Sequence, residues 1–107
     1  MTTKSEDLVP QVRDALRAVI DPELGYNIVD LGFVYDVSVD GGVAHVTMTA
    51  TSRGCPAASF LKEGVAESAF QVPGITSVDV SMTFDPPWKP DMIAPEVKAS
   101  LGFAEMN

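Results

Sequence analysis

The stretch that decides the fold runs from residue 33 to residue 50 and reads FVYDVSVDGGVAHVTMTA. Apolar residues take every second position as far as Val39, which is the period of a half-buried strand. Residues 40–42, Asp-Gly-Gly, predict a hairpin turn. The return strand is expected to carry Ala44, Val46, Met48 and Ala50 on one face and His45, Thr47 and Thr49 on the other. The stretch therefore predicts two antiparallel strands with one apolar face that needs a cover.

Helical patterns lie on both sides of this hairpin. The first predicted helix has its apolar stripe at Leu8, Val12, Ala15, Leu16 and Val19. It is expected to start near Asp7, with Pro10 in its first turn, because a deeper proline removes a hydrogen bond. It should stop by Ile20, before the Asp21-Pro22 pair. A second helix is predicted after the hairpin, with its stripe at Ala58, Leu61, Val65 and Ala69.

The remaining elements complete a small layered fold. A third strand is predicted with Val78, Val80, Met82 and Phe84 on its apolar face, and a short last helix with Pro95 first and Gly102 as its C-terminal cap. The order α-β-β-α-β-α predicts an α+β two-layer sandwich, with a three-stranded mixed sheet and helices on one face. At 107 residues, the chain is expected to be a single domain spanning 1–107, with a core from about 8 to 103.

Composition narrows the classes of function. The net charge of −8 disfavours binding to nucleic acid or to an anionic membrane surface. A single cysteine cannot form an intrachain disulfide. The amino terminus has no apolar signal segment, and no stretch approaches the roughly 18 apolar residues of a membrane span. These features predict a cytoplasmic protein without nucleic-acid or membrane partners.

Cys55 is the first candidate functional residue. Pro56 is suited to the first position of a helix, which would place Cys55 at or beside the N-cap. There the helix dipole favours an anion, so the pKa of the thiol is expected to fall. Gly54 allows a tight turn, and Arg53 adds positive charge. The alternative interpretation is an inert, buried thiol.

The cysteine cannot complete a metal site by itself. A closed Cys/His site needs about four ligands, and the chain has one cysteine and one histidine. Any metal site at Cys55 must share ligands with a second chain or a partner. A cysteine-dependent enzyme would need an activating base. Ten extended residues separate His45 from Cys55 and span roughly 33 Å, so His45 is interpreted as a solvated side chain.

Two further groups carry candidate residues. Asp21, Glu23 and Asp30 place carboxylates after the first helix, where negative charge opposes the helix dipole. They could bind a metal or a partner, or form a solvated turn in which Asp21 caps backbone N–H groups. In the segment from Asp85 to Trp88, the only tryptophan follows two prolines. It could cap the edge of the core or form a binding surface.

Four stretches resemble, in order and at family spacing, the metal–sulfur cluster biosynthesis family, which includes the SufT and PaaD proteins and the eukaryotic cytosolic iron–sulfur targeting subunit. They are Asp21–Leu24, Ile28–Tyr35, Thr51–Pro56 and Asp85–Trp88. This chain has Arg53 where the family often has proline, and it lacks the cysteine-rich carboxy-terminal extension of PaaD-type proteins. It therefore looks like a minimal single-domain member, without a PaaD role.

The resemblance implies a compact α/β domain that assists the maturation of iron–sulfur proteins and is not an enzyme. Cys55 would handle the cluster or contact the target. The supporting residues would be Asp21, Glu23, Thr51, Ser52, Gly54 and Pro56. A secondary candidate is a partner surface formed by Asp30, Asp85 and Trp88. The implied cargo is a transient iron–sulfur cluster shared between chains, with none held within one chain. The implied partners are iron–sulfur scaffold, carrier or recipient proteins, or a second copy. An adaptor without its own cluster and a cysteine-dependent enzyme are the alternatives.

Overall fold

The predicted order of elements is confirmed. The computed structural model describes residues 5–22, 24–50 and 56–100. Within these ranges the helices are α1 (Ser5–Ala15), α2 (Pro56–Phe70) and α3 (Pro95–Ser100). The strands are β1 (Val34–Asp40), β2 (Val43–Met48) and β3 (Ser77–Met82). Short 3-10 turns follow α1 at Leu16–Ala18 and precede α3 at Pro90–Met92.

The sheet is mixed, with the order β1-β2-β3. The hairpin pairs β1 with β2 antiparallel, from Asp40 opposite Val43 to Val34 opposite Met48, with an irregularity next to Val34. The α2 crossover brings β3 parallel to β2. Helix α1 packs on β1, α2 packs on β3, and the two helices contact each other. The predicted α+β class and mixed three-stranded sheet are therefore confirmed.

The core lies between the helices and the apolar face of the sheet. Its largest fully buried side chains are Phe33, Leu16, Ile28, Leu31, Met48, Leu61, Val12, Val46 and Val65. The predicted stripes of α1 and α2 supply several of them. Others come from residues 28–33, a loop that precedes β1 and includes Phe33, which was predicted to belong to the first strand. This loop is consequently part of the core and holds a defined position.

Two predictions about local structure were wrong. Pro10 was expected in the first turn, but α1 begins at Ser5 and Pro10 is inside the helix. Burial of Leu8 and Val12 on either side of the exposed proline stabilises the helix despite the lost N–H donor. Thr49 was expected on the polar face of the return strand, but it is fully buried. The alternation ends because β2 ends at Met48 and the Thr49 N–H donates to the Phe33 carbonyl (2.8 Å).

Candidate functional site

The loop after α1 folds back on itself around Asp21. The Asp21 N–H donates to the Tyr26 carbonyl (2.9 Å), and the Gly25 N–H donates to the Asp21 carbonyl (2.8 Å). The Asp21 carboxylate accepts a hydrogen bond from the Leu24 N–H (3.1 Å) and is only 3% exposed. Asp21 therefore caps a backbone N–H group of this turn, in a buried rather than a solvated position, and its supporting role beside Cys55 stays a prediction. Glu23 lies outside the described residues.

Asp30 connects three parts of the chain. Its carboxylate pairs with the Arg17 guanidinium (2.8 Å) and accepts a hydrogen bond from Asn27 Nδ2 (3.0 Å). Its carbonyl accepts from the Ala94 N–H (2.7 Å), just before α3. Its side chain is 22% exposed. Asp30 thus links the first helical segment, the loop and the carboxy-terminal segment, and its role in contacting a partner stays a prediction.

Trp88 packs at the edge of the core. Its ring meets Phe33 edge to face, with ring centres 5.3 Å apart and planes at 84°. Its indole N–H donates to the Leu31 carbonyl (2.7 Å). The stem before it is attached to β1, because the Tyr35 hydroxyl donates to the Pro86 carbonyl (2.8 Å). Trp88 therefore lies at the core edge, and its part in a partner surface stays a prediction.

Replacement of Trp88 is expected to separate its two interactions. Trp88→Ala loses the ring contact and the indole donor, and should lower the free energy of unfolding by about 2–3 kcal/mol, because the side chain is half-buried. Trp88→Phe keeps an aromatic ring but leaves the Leu31 carbonyl without its donor. This loss should lower the free energy of unfolding by about 1 kcal/mol. Urea unfolding followed by circular dichroism measures both. Phe70→Ala, at a 56% exposed position, is the control. A Trp88→Ala cost no greater than the control's would contradict the core-edge role.

Two of the four motifs meet in space. The stretch Ile28–Tyr35 meets the Asp85–Trp88 segment through the contacts of Phe33 and Leu31 with Trp88. The end of the hairpin reaches the same place through the bond between Thr49 and Phe33. Asp85 is exposed, and its N–H donates to Thr83 Oγ1 (3.2 Å). The carbonyl acceptors and Tyr35 were missed by sequence reasoning, since backbone atoms leave no sequence signal and Tyr35 contacts a residue 51 positions away.

The cysteine motif itself is only partly described. Thr51, Ser52, Arg53, Gly54 and Cys55 lie outside the described residues, and so does the predicted N-cap position of Cys55. On either side, Ala50 is buried and Pro56 is the first residue of α2, as predicted for a proline at this position. The Cys55 site and its supporting residues therefore stay predictions.

The described ranges hold no grouped metal ligands and no membrane-spanning helix. Within residues 5–22, 24–50 and 56–100, no three His, Cys, Asp or Glu side chains are grouped so that they could hold a metal ion. His45 lies on the exposed face of the sheet, with Nδ1 3.4 Å from the Asp79 carboxylate. No helix in the same ranges has the length and apolar character needed to cross a membrane.

Comparison with known proteins decides the family. The profile of the iron–sulfur cluster assembly protein family matches residues 10–82, a range that contains three of the four motifs. The chain belongs to this family. The resemblance that the motifs indicated is thus confirmed.

Individual members of the family support the assignment. The chain is 41% identical to the Fe-S protein maturation auxiliary factor YitW of Bacillus subtilis, over 91% of this chain and 96% of that protein. It is 45% identical to the Fe-S protein maturation auxiliary factor SufT of Staphylococcus aureus, over 78% and 97% respectively. It is 43% identical to part of an iron–sulfur cluster carrier protein of Mycobacterium tuberculosis, covering 75% of this chain and 21% of the carrier. These relatives are named as auxiliary factors and carriers.

A solved structure supports the fold. A crystal structure from Bacillus anthracis, described as a domain of unknown function, DUF59, superposes with a TM-score of 0.85 at 39% identity. The superposition covers 92% of this chain and 94% of that one. The α+β arrangement described above is therefore an arrangement found by experiment in a similar sequence.

Proposed function

We propose that this protein is an iron–sulfur cluster assembly and targeting factor that assists the maturation of iron–sulfur proteins through Cys55 and through protein contacts. The observation that carries the proposal is the family match across residues 10–82, which includes the only cysteine of the chain. The names of the relatives as maturation factors and carriers support it. The proposed unit is a single cytoplasmic domain spanning residues 1–107.

One cysteine per chain suits a carrier better than a permanent holder. A cluster bound by two Cys55 thiolates from two chains, with its other ligands supplied from outside, would be incompletely held and free to leave. Its departure is a ligand exchange. Each recipient thiol loses its proton and binds iron as a thiolate, while the released Cys55 thiolate takes up a proton. No electron needs to move, so the proposed step requires no oxidant or reductant.

The scaffold around the motif supports this role physically. The hairpin leads into the cysteine motif through two buried residues, Thr49 and Ala50, and α2 leads out of it from Pro56. Thr49 is hydrogen-bonded to the loop that also binds Trp88. The motif thus follows directly on a buried stretch of the hairpin and ends at the first residue of α2, so folded elements adjoin it in sequence on both sides.

Anaerobic reconstitution with iron and sulfide tests the proposal. The wild-type protein should develop iron–sulfide absorbance and sediment as a two-chain species, and Cys55→Ala should do neither. A matched control moves the thiol instead of removing it: Cys55→Ala combined with Ser59→Cys keeps one thiol per chain on an exposed turn of α2. This control should remain colourless. Equal absorbance in the control would show adventitious binding of iron to any thiol and would contradict a specific Cys55 site.

A further inference from the structure

A groove between the end of the first helical segment and α2 is bordered by two exposed apolar side chains. One wall is the segment 18–20 and the other is formed by Phe60, Gly64, Glu67 and Ser68. We call it the α1–α2 groove, because the segment 18–20 follows α1 and the 3-10 turn at its end. Ile20 is 47% exposed and Phe60 is 62% exposed. The groove has a volume of about 320 Å³, at the low end of the roughly 300–1,000 Å³ typical of ligand pockets. It therefore suits a few inserted side chains.

The shape of the groove follows from the spacing of residues on α2. Positions 60, 64, 67 and 68 lie on one face of a helix, since 64 follows 60 by four residues and 67 and 68 follow 64 by three and four. Gly64 has no side chain in the middle of this face. A Cβ atom at Gly64 would lie 3.3 Å from Val19 Cγ1, a tight contact. The absence of a side chain at Gly64 thus lets α2 approach Val19 closely. It also leaves the bottom of the groove unfilled next to Phe60.

The charge around the groove is acidic. Glu67 lies on its rim and Glu63 lies one turn earlier on α2. Within the part of the chain that the structure describes, neither carboxylate forms a salt bridge. The whole chain carries a net charge of −8. A basic partner is complementary to this surface, whereas a second copy would bring the same carboxylates and the same net charge.

We propose that the α1–α2 groove binds an amphipathic, basic segment of a protein partner. Its apolar side chains would enter between Ile20 and Phe60, and a lysine or arginine would pair with Glu67. Phe60 lies one turn after Pro56, to which Cys55 is joined by a peptide bond. A segment bound beside Phe60 would thus be held one helical turn from Pro56, the residue that follows the cysteine in the sequence. The inference rests on the proposed function, in which this partner is a protein that gives or receives a cluster.

The test uses two labelled synthetic peptides and the full chain. One peptide has leucine at positions i, i+3, i+4 and i+7 and lysine elsewhere, and its counterpart replaces each lysine with glutamate. Fluorescence anisotropy should show binding of the basic peptide only. Phe60→Ala should weaken binding about tenfold or more, and Glu67→Gln about two- to fivefold. Phe70→Ala and Asp40→Asn are the controls, since both residues are exposed and lie outside the groove, and both should bind as the wild type does.

Several results would overturn the inference. One is equal binding of the two peptides, and another is no binding of the basic peptide. A third is an equal loss of affinity for the basic peptide in Phe60→Ala and Phe70→Ala. A wild-type dimer that Phe60→Ala dissociates would assign the groove to a second copy instead, and would also overturn it. Failure of the proposed function is distinguishable. If Cys55→Ala keeps full maturation activity while Phe60→Ala loses peptide binding, the cysteine role fails and the groove stands.

Discussion

Replacement of Gly32 by alanine is expected to lower the free energy of unfolding by about 3 kcal/mol or more. Gly32 has a φ of +79°, and an L-residue in this region costs about 1–2 kcal/mol. The added methyl would also lie 2.8 Å from the Met92 carbonyl carbon and closer still to its oxygen. The neighbour is backbone, so relief requires the 3-10 turn at Pro90–Met92 to move.

Gly25→Ala is a matched control for this variant. Gly25 has nearly the same φ, +76°, but an added Cβ would have no atom within 4 Å. Gly25→Ala should therefore lower the free energy of unfolding only by the cost of a positive φ, about 1–2 kcal/mol. Urea unfolding followed by the fluorescence of Trp88, the only tryptophan, measures both variants. Equal losses for the two variants would mean that the close approach to Met92 contributes nothing.

Cys55→Ala is expected to have the largest effect on function. In a maturation assay with an apo iron–sulfur recipient, the activity gained should fall at least tenfold, towards the level without the factor. Loss of an outer-shell partner of a metal ligand already costs about 10- to 100-fold in affinity or activity, and this variant removes the proposed ligand itself. The readout is recipient activity against time, with the melting temperature of the variant measured in parallel.

The same assay separates the proposed function from the adaptor alternative. Phe60→Ala removes a proposed contact but keeps the thiol, so it should slow maturation and still allow reconstitution of a cluster. If a folded Cys55→Ala protein matures the recipient at the wild-type rate while Phe60→Ala does not, the protein acts by contact alone. That result would contradict the cluster-handling role and favour an adaptor.

The regular elements could be predicted because their side chains follow a repeat. The apolar face of the hairpin, including Val46 and Met48, and the α2 stripe at Leu61 and Val65 are buried as expected. The prediction of burial failed at Thr49, where the alternating pattern ends and a contact distant in sequence determines the position of the residue. Thr49 follows the end of β2 and is held by a backbone acceptor on Phe33. No local pattern contains that information.

The candidate site was predictable in a different way. Pro56 at the start of α2 follows from local helix chemistry. Asp21 and Trp88 were singled out by their residue type and setting. Asp21 caps a backbone N–H group and Trp88 packs at the core edge, while their functional roles stay predictions. The α1–α2 groove could not be predicted, because it depends on how closely α2 approaches Val19. The spacing of residues along a helix predicts which side chains share a face. It does not predict how far that face lies from the neighbouring element.

The contacts of the loop at residues 28–33 have a consequence for the order of events during synthesis. Leu31 and Asp30 are bound by Trp88 and by Ala94, residues that leave the ribosome about sixty positions later. The hairpin and α1 can associate while translation continues, but this loop lacks two of its partners until nearly the whole chain is made. The nascent protein should therefore acquire the hairpin first and the completed loop last. A truncated chain ending before Trp88 would lack those two partners.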